Sequence, residues 1–206
     1  MRLIAISQRV AVTPPFSERR DCLDQRWIEF MTTCGLTPLP VPNDKQAAQR
    51  LCNALPISGI LLTGGNDLSA YGGDAPERDA TESLLIDIAD KRALPILGVC
   101  RGMQMIQNHF GIQLERVAGH VTARQLITIE GEPAEVNSYH NFGATETQLP
   151  LKAWAVAEDG VVEAVRHASA RMMGIMWHPE RLKPFASRDI SLFQQFFDQP
   201  KCAPSF

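Results

Sequence analysis

"LPILGVCRGMQMIQNHFG", residues 94–111, passes from an apolar run into a stretch of helical periodicity, with one cysteine at the seam between two glycines. Free cysteine is among the most buried residue types, so Cys100 taken alone reads as a small core hydrophobe. Its spacing points elsewhere. Gly98-Val99-Cys100-Arg101-Gly102 matches the nucleophile elbow G-x-S-x-G with a thiol in place of the hydroxyl. Glycines two before and two after permit the sharp strand-to-helix turn that pushes the central side chain out. Pro95 to Val99 reads as a short buried strand, and Met103, Ile106, Gln107 and Phe110 recur at helical spacing before Gly111 stops the helix. A thiol at a helix N-terminus meets unpaired N–H groups and the positive end of the helix dipole, which favour the reactive thiolate.

Composition permits an enzyme. The chain has 206 residues, 45% of them hydrophobic, which predicts one globular domain over residues 1–206 with a substantial core. A net charge of -3 without a basic run suggests neither nucleic acid nor an anionic membrane as partner. No stretch approaches 18 apolar residues, and "RLIAIS" is too short for a signal-peptide core, so the expectation is a soluble, cytoplasmic protein. Five scattered cysteines (Cys22, Cys34, Cys52, Cys100, Cys202) lack the paired spacing of a zinc site or redox motif. Reduced thiols, and no metal or cofactor, are expected.

Upstream of the elbow, short apolar runs alternate with helical patterns. Arg2–Ser7, "TPLPVP" and "ISGILLTGG" read as strands. Residues 19–34, with Leu23, Trp27, Phe30, Met31 and Cys34 on one face, read as a helix ended by Gly35, and residues 44–54 as another. Asp79 and Glu82 look like an N-cap and capping box for a helix whose apolar face carries Leu84, Leu85, Ile88 and Ala89. Alternation of this kind predicts an α/β fold, a doubly wound, mostly parallel sheet flanked by helices, with sites at the carboxyl ends of strands. After Gly111 the runs "ARQLITI", "AEVNSYH", "KAWAVA" and "VVEAVRH", with a turn at Glu158-Asp159-Gly160, predict antiparallel strands in the C-terminal half. A last helix spans roughly 187–198, with Ile190, Phe193, Phe196 and Phe197 inward, and the tail beyond Pro200 is expected to fray.

A nucleophilic thiol needs a base, and the base needs an orienting group. Of the five histidines, His178 ends the apolar run "MMGIMW" and is followed two positions later by Glu180. In an extended segment both project to one side, so the carboxylate can bond one imidazole nitrogen while the other faces the thiol. That is the logic of a catalytic triad. A histidine and glutamate at this spacing are commonplace alone; their joint occurrence with a cysteine elbow and a strand-end glycine turn gives them weight.

"GVCRGMQ" and, 78 positions after the cysteine, "HPE" resemble the class I glutamine amidotransferase fold, whose Cys, His and Glu form the triad. Arginine after the cysteine, "TGGNDLSAYGG" (63–73), "RDATE" (78–82) and "VNSYHNFG" (136–143) are similar to its γ-glutamyl hydrolase branch, peptidase C26. "SQRVAVTPPFSERRDCLDQRW" (7–27) resembles hydrolases acting on γ-glutamyl-CDP-amidate, whereas "GIQLERVAGH" departs from the branch. The resemblance implies hydrolysis of a small-molecule γ-glutamyl amide through a thioester on Cys100, with an oxyanion hole at the backbone N–H groups of Gly65 and Arg101. It implies substrate contacts at Gln104 and at the backbone around Ser138 and Tyr139; His140 either contacts substrate or supports its loop. If the leaving group is a nucleotide phosphoramidate, Arg9, just after the first strand, is the arginine best placed for its phosphates, ahead of Arg19, Arg20 and Arg78. A glutaminase subunit feeding ammonia to a separate synthase is the second reading, and a non-catalytic module on the same fold the third. A homodimer and, under the second reading, a synthase chain are the protein partners left open.

Overall fold

A computed structural model describes residues 2–198. Cys202 and the tail beyond Pro200 lie outside the described residues. The elements run β1 (Arg2–Ile6), β2 (Arg9–Thr13), β3 (Glu18–Cys22), α1 (Gln25–Thr33), β4 (Leu36–Pro40), α2 (Lys45–Ala54), β5 (Ile57–Leu62), α3 (Pro76–Arg92), β6 (Ile96–Val99) and α4 (Arg101–His109). They continue with β7 (Glu115–Arg116), β8 (Val121–Ile129), β9 (Glu132–Tyr139), β10 (Phe142–Gly143), β11 (Leu151–Ala157), β12 (Val162–His167), β13 (Met172–Ile175) and α5 (Ser187–Asp198).

Nine strands form one mixed sheet in the order β4-β1-β5-β6-β13-β12-β11-β8-β9. The first five are mutually parallel; the rest, drawn from the C-terminal half, pair antiparallel. Because side chains alternate along a strand, each central strand feeds two cores. Ile4, Ile6, Leu61, Leu97 and Val99 pack against Trp27, Phe30 and Met31 of α1 and Phe193 and Phe197 of α5. On the other face Ala5, Ile60, Leu62 and Ile96 meet Ala48 and Cys52 of α2, Leu84, Leu85 and Ile88 of α3, and Met103 and Ile106 of α4. Helices thus cover both faces of the parallel part, as the alternation predicted, and leave the carboxyl ends of β5, β6 and β13 together at one edge.

Two local expectations are corrected. Residues 19–22 are not helical but form strand β3 of a hairpin with β2, in register Arg9↔Cys22 to Thr13↔Glu18. The helix begins only after Asp24, whose carboxylate accepts the Arg26 N–H at 3.0 Å. All the apolar positions that suggested a longer helix fall at Leu23 or beyond, so the polar stretch before it carried no periodicity. Asp79 is not an N-cap either: α3 starts at Pro76, a residue suited to a first turn because its missing N–H would be unpaired there anyway. Asp79 instead accepts the Ser69 N–H at 2.8 Å and pairs with Arg101.

Candidate active site

The elbow is built by close approach. A Cβ on Gly98 would stand 2.4 Å from the Gly102 backbone, and one on Gly102 would stand 2.2 Å from the Leu62 carbonyl oxygen. Only glycine lets β6, α4 and β5 come so near. Cys100 between them adopts φ +52°, ψ -108°, a backbone region costing on the order of 1–3 kcal/mol for a residue with a side chain. Its N–H donates to the Ile175 carbonyl at 2.7 Å, tying the turn to β13. Cys100 is the residue that caps α4, and Sγ lies 4.0 Å from the Tyr139 carbonyl oxygen.

His178 and Glu180 follow β13 and are almost completely buried, with Nδ1 2.8 Å from Glu180 Oε1. Nε2 is buried and takes no hydrogen bond. The backbone of His178 is held on both sides by Asn137 of β9, whose Oδ1 accepts its N–H at 2.8 Å and whose Nδ2 donates to its carbonyl at 2.9 Å. Asn137 was not singled out in the sequence, although it stands beside Ser138 in the quoted "VNSYHNFG". A Cβ on Gly64 would meet His178 Cε1 at 2.7 Å and Cys100 Cβ at 3.5 Å, so this glycine lets the ring and the thiol share one corner.

Burial pulls the His178 imidazolium down, but the Cys100 thiolate charge and the Glu180 carboxylate outweigh it and raise its pKa to about 9. A folded-state pKa above the ordinary 6.5 contributes stability that is fully present below pH 6.5 and lost as pH rises through about 9. In Cys100→Ser the thiolate charge is gone and burial is opposed by Glu180 alone, so the titration should move down. NMR titration of His178 in both proteins measures the difference; identical values would show that Cys100 does not act on the ring.

The turn after β5 is clamped from beneath. Arg78, fully buried, donates to the Gly65 carbonyl and, through Nη2, to the Thr63 carbonyl at 2.7 Å and Thr63 Oγ1 at 3.1 Å. Its Nε bonds Glu82 at 2.9 Å, and Glu82 also pairs with Arg101, itself paired with Asp79. Burial alone would raise the Glu82 carboxyl; Arg101 and Arg78 outweigh it and hold it below the ordinary range. The "RDATE" residues therefore fix the Gly65 turn, and the Arg101 side chain anchors the elbow from behind while its backbone opens α4.

The structure gathers the remaining candidates unevenly. Gln104 and Tyr139 line the cleft with Cys100 and Gly65, although Gln104 Nε2 already donates to the Phe142 carbonyl at 2.9 Å. Ser138 is fully buried and spends its hydroxyl on the His120 carbonyl at 2.7 Å, so any contribution falls to its backbone. His140 borders the same cleft, with Nδ1 3.0 Å from the Phe142 carbonyl oxygen and Nε2 3.3 Å from Glu163 Oε1. Arg9 lines an adjoining cleft with Gly65, His178 and Glu180, whereas Arg19 pairs with Glu77 and Arg20 with Glu18. Arg181, overlooked in the sequence, lines the same cleft and stacks over the Tyr139 ring at 4.7 Å.

The profile of the peptidase C26 family matches residues 2–125 and 116–180, spanning most of the chain, including the elbow and the His178–Glu180 pair. The chain belongs to the peptidase C26 family. Among its relatives, γ-glutamyl-CDP-amidate hydrolase of Campylobacter jejuni is 32% identical over 185 residues, covering 86% of this chain and 90% of that protein. The glutamine-hydrolysing GMP synthase subunit of Thermococcus kodakarensis is 30% identical over 138 residues, 62% of this chain and 68% of that one. The fold is shared with the glutaminase domain of Trypanosoma brucei CTPS, at a TM-score of 0.69, 14% identity and coverage of 98% and 97%. This C26 protein is thus a hydrolytic enzyme on a glutamine amidotransferase-type fold. None of its helices among the described residues is long and apolar enough to cross a membrane.

Proposed function

We propose that the enzyme hydrolyses a γ-glutamyl amide in which the nitrogen carries an anionic group, a nucleotide phosphoramidate such as CDP-amidate. The observation that carries the reaction type is the left-handed backbone of Cys100 at the start of α4, beside the buried His178–Glu180 pair. Sγ attacks the γ-carbonyl carbon, and the displaced electron pair collects on oxygen, where the N–H groups of Gly65 and Arg101 receive it. Gly65 suits this because Arg78 holds the carbonyls on either side of its peptide N–H, those of Thr63 and Gly65. Preformed donors of this kind each contribute on the order of 3 kcal/mol of transition-state stabilisation. Collapse breaks the C–N bond as His178 Nε2–H protonates the departing nitrogen. Water then attacks the thioester, His178 takes its proton, and glutamate and the free thiolate result.

The leaving-group assignment rests on Arg9 and Arg181, two arginines facing the cleft that also contains His178, and on the activity of the C. jejuni relative. Guanidinium groups match phosphate oxygens in geometry and charge. Arg9→Ala should raise KM for γ-glutamyl-CDP-amidate by roughly tenfold to a hundredfold, as for loss of one charged hydrogen bond, while barely changing it for a small γ-glutamyl amide. Equal effects on both substrates would remove Arg9 from the site. Likeness to the GMP synthase subunit favours a second reading, a glutaminase serving a separate synthase. Free glutamine turning over fastest, and only with a second protein present, would establish that reading instead.

A further inference from the structure

Beyond the loop that faces the thiol, His120 at the head of β8, His140 after β9 and Glu163 of β12 meet in a buried cluster. His120 Nε2 lies 2.9 Å from Asp159 Oδ2, and His140 Nδ1 lies 3.0 Å from the Phe142 carbonyl oxygen. Those partners only accept, so each of these nitrogens carries the proton. In the neutral rings the opposite nitrogens then present lone pairs, and both present them to the same carboxylate. His120 Nδ1 is 3.0 Å and His140 Nε2 3.3 Å from Glu163 Oε1. Glu163 is fully buried, and neither of its oxygens receives a hydrogen bond. Lone pairs facing one another away from water are costly unless a cation lies among them.

We propose that His120, His140 and Glu163 bind a divalent transition-metal ion of the zinc type. Ligand atoms about 2.0–2.1 Å from zinc stand roughly 3.3 Å apart at tetrahedral corners, close to the separations here. Asp159 and the Phe142 carbonyl occupy the outer positions that orient metal-binding imidazoles. Gln125 supplies a fourth donor: its Nε2 sits 2.9 Å from His120 Nδ1 while its Oε1 is buried without a partner. Turning that amide over, an assignment decided only by the surrounding hydrogen bonds, brings the oxygen to the cluster. Protons alone resolve the arrangement less well: with His120 Nδ1 accepting from the Gln125 amide as placed, they give the fully buried Glu163 a single hydrogen bond, from His140 Nε2, and leave its other oxygen without a partner. The ion touches no reacting atom. It braces the loop whose His140 N–H and Ser138 hydroxyl both donate to the His120 carbonyl, and whose Tyr139 faces Cys100.

The test uses Cys100→Ser, so that the thiol cannot capture the metal together with His178. Full-length protein stripped with a chelator is titrated with Co2+ and then Zn2+. One equivalent of Co2+ giving visible ligand-field bands, displaced by Zn2+, is expected, together with a Zn2+-dependent rise in Tm. Adding Glu163→Gln should weaken binding at least tenfold and abolish the rise; His140→Asn serves the same purpose should that variant not fold. Absence of the bands and of the Tm shift, or equal affinity with and without the second substitution, would overturn the site.

Discussion

Cys100→Ala should lower kcat/KM for a γ-glutamyl amide by roughly 10⁴-fold or more while leaving the fold intact, a loss of the size seen when a covalent nucleophile is removed. Cys100→Ser falls nearly as far, because a hydroxyl is far less readily ionised than a thiol. Iodoacetamide offers an independent readout on the wild type and should label Cys100 first. Burial pushes the Cys34 thiol up to about 12 and raises that of Cys52, so both stay protonated and shielded. Among the described cysteines that leaves Cys22, part-exposed and with Sγ 3.6 Å from the Arg20 carbonyl oxygen, as the competitor. Mass spectrometry of protein inactivated by one equivalent should find the label on Cys100. Wild-type turnover by Cys100→Ala would refute the thioester.

What the sequence made legible follows from how local each signal is. The elbow needs five consecutive residues, and its glycines stand where backbone atoms of β5, β6 and α4 nearly touch, so its spacing alone was diagnostic. His178 and Glu180, two residues apart at a strand end, gained weight only beside the elbow, and the fold brings Nδ1 and Oε1 to 2.8 Å. The β2–β3 hairpin was not, because its second strand is "ERRDC", with no apolar alternation to mark a sheet face; it pairs outside the main sheet and is tied to the rest by Asn66, which bonds the Val10 N–H and carbonyl, and by Asn43, which bonds Asp21. Asp79 misled because an acidic residue three before a glutamate is the mark of a capping box, yet in the fold both carboxylates are drawn to Arg101. The role of Arg78 was invisible, since nothing local says that a helix arginine reaches back to the carbonyls of Thr63 and Gly65. His120, His140 and Glu163 lie some twenty residues apart in three different segments, and only the antiparallel half of the sheet brings them together. Metal-ligand spacing sought among cysteines would never have found them.

Glu180→Gln should retain at least tenfold more kcat/KM than His178→Ala, and the reason lies in how the imidazole is held. His178→Ala removes the group that carries the proton in both half-reactions, and the loss should approach that of Cys100→Ala. Glu180 acts through the ring, accepting from Nδ1–H at 2.8 Å and supporting the imidazolium's charge. Replacing its carboxylate by an amide removes that support and can offer an N–H to Nδ1, favouring the tautomer with its proton on Nε2, the wrong one for a base. The ring nevertheless stays in place, because Asn137 grips the His178 backbone from both sides and Gly64 leaves the corner open for it. A merely structural role would lower folded protein without moving the titration. A positioning role predicts a lower His178 pKa in Glu180→Gln, since the raising influence of Glu180 is lost while burial persists. The alkaline limb of the pH–rate profile, read on folded protein, should shift to lower pH accordingly. Equal losses in the two variants, or an unmoved limb, would reject the division of labour between the residue that transfers the proton and the one that aims it.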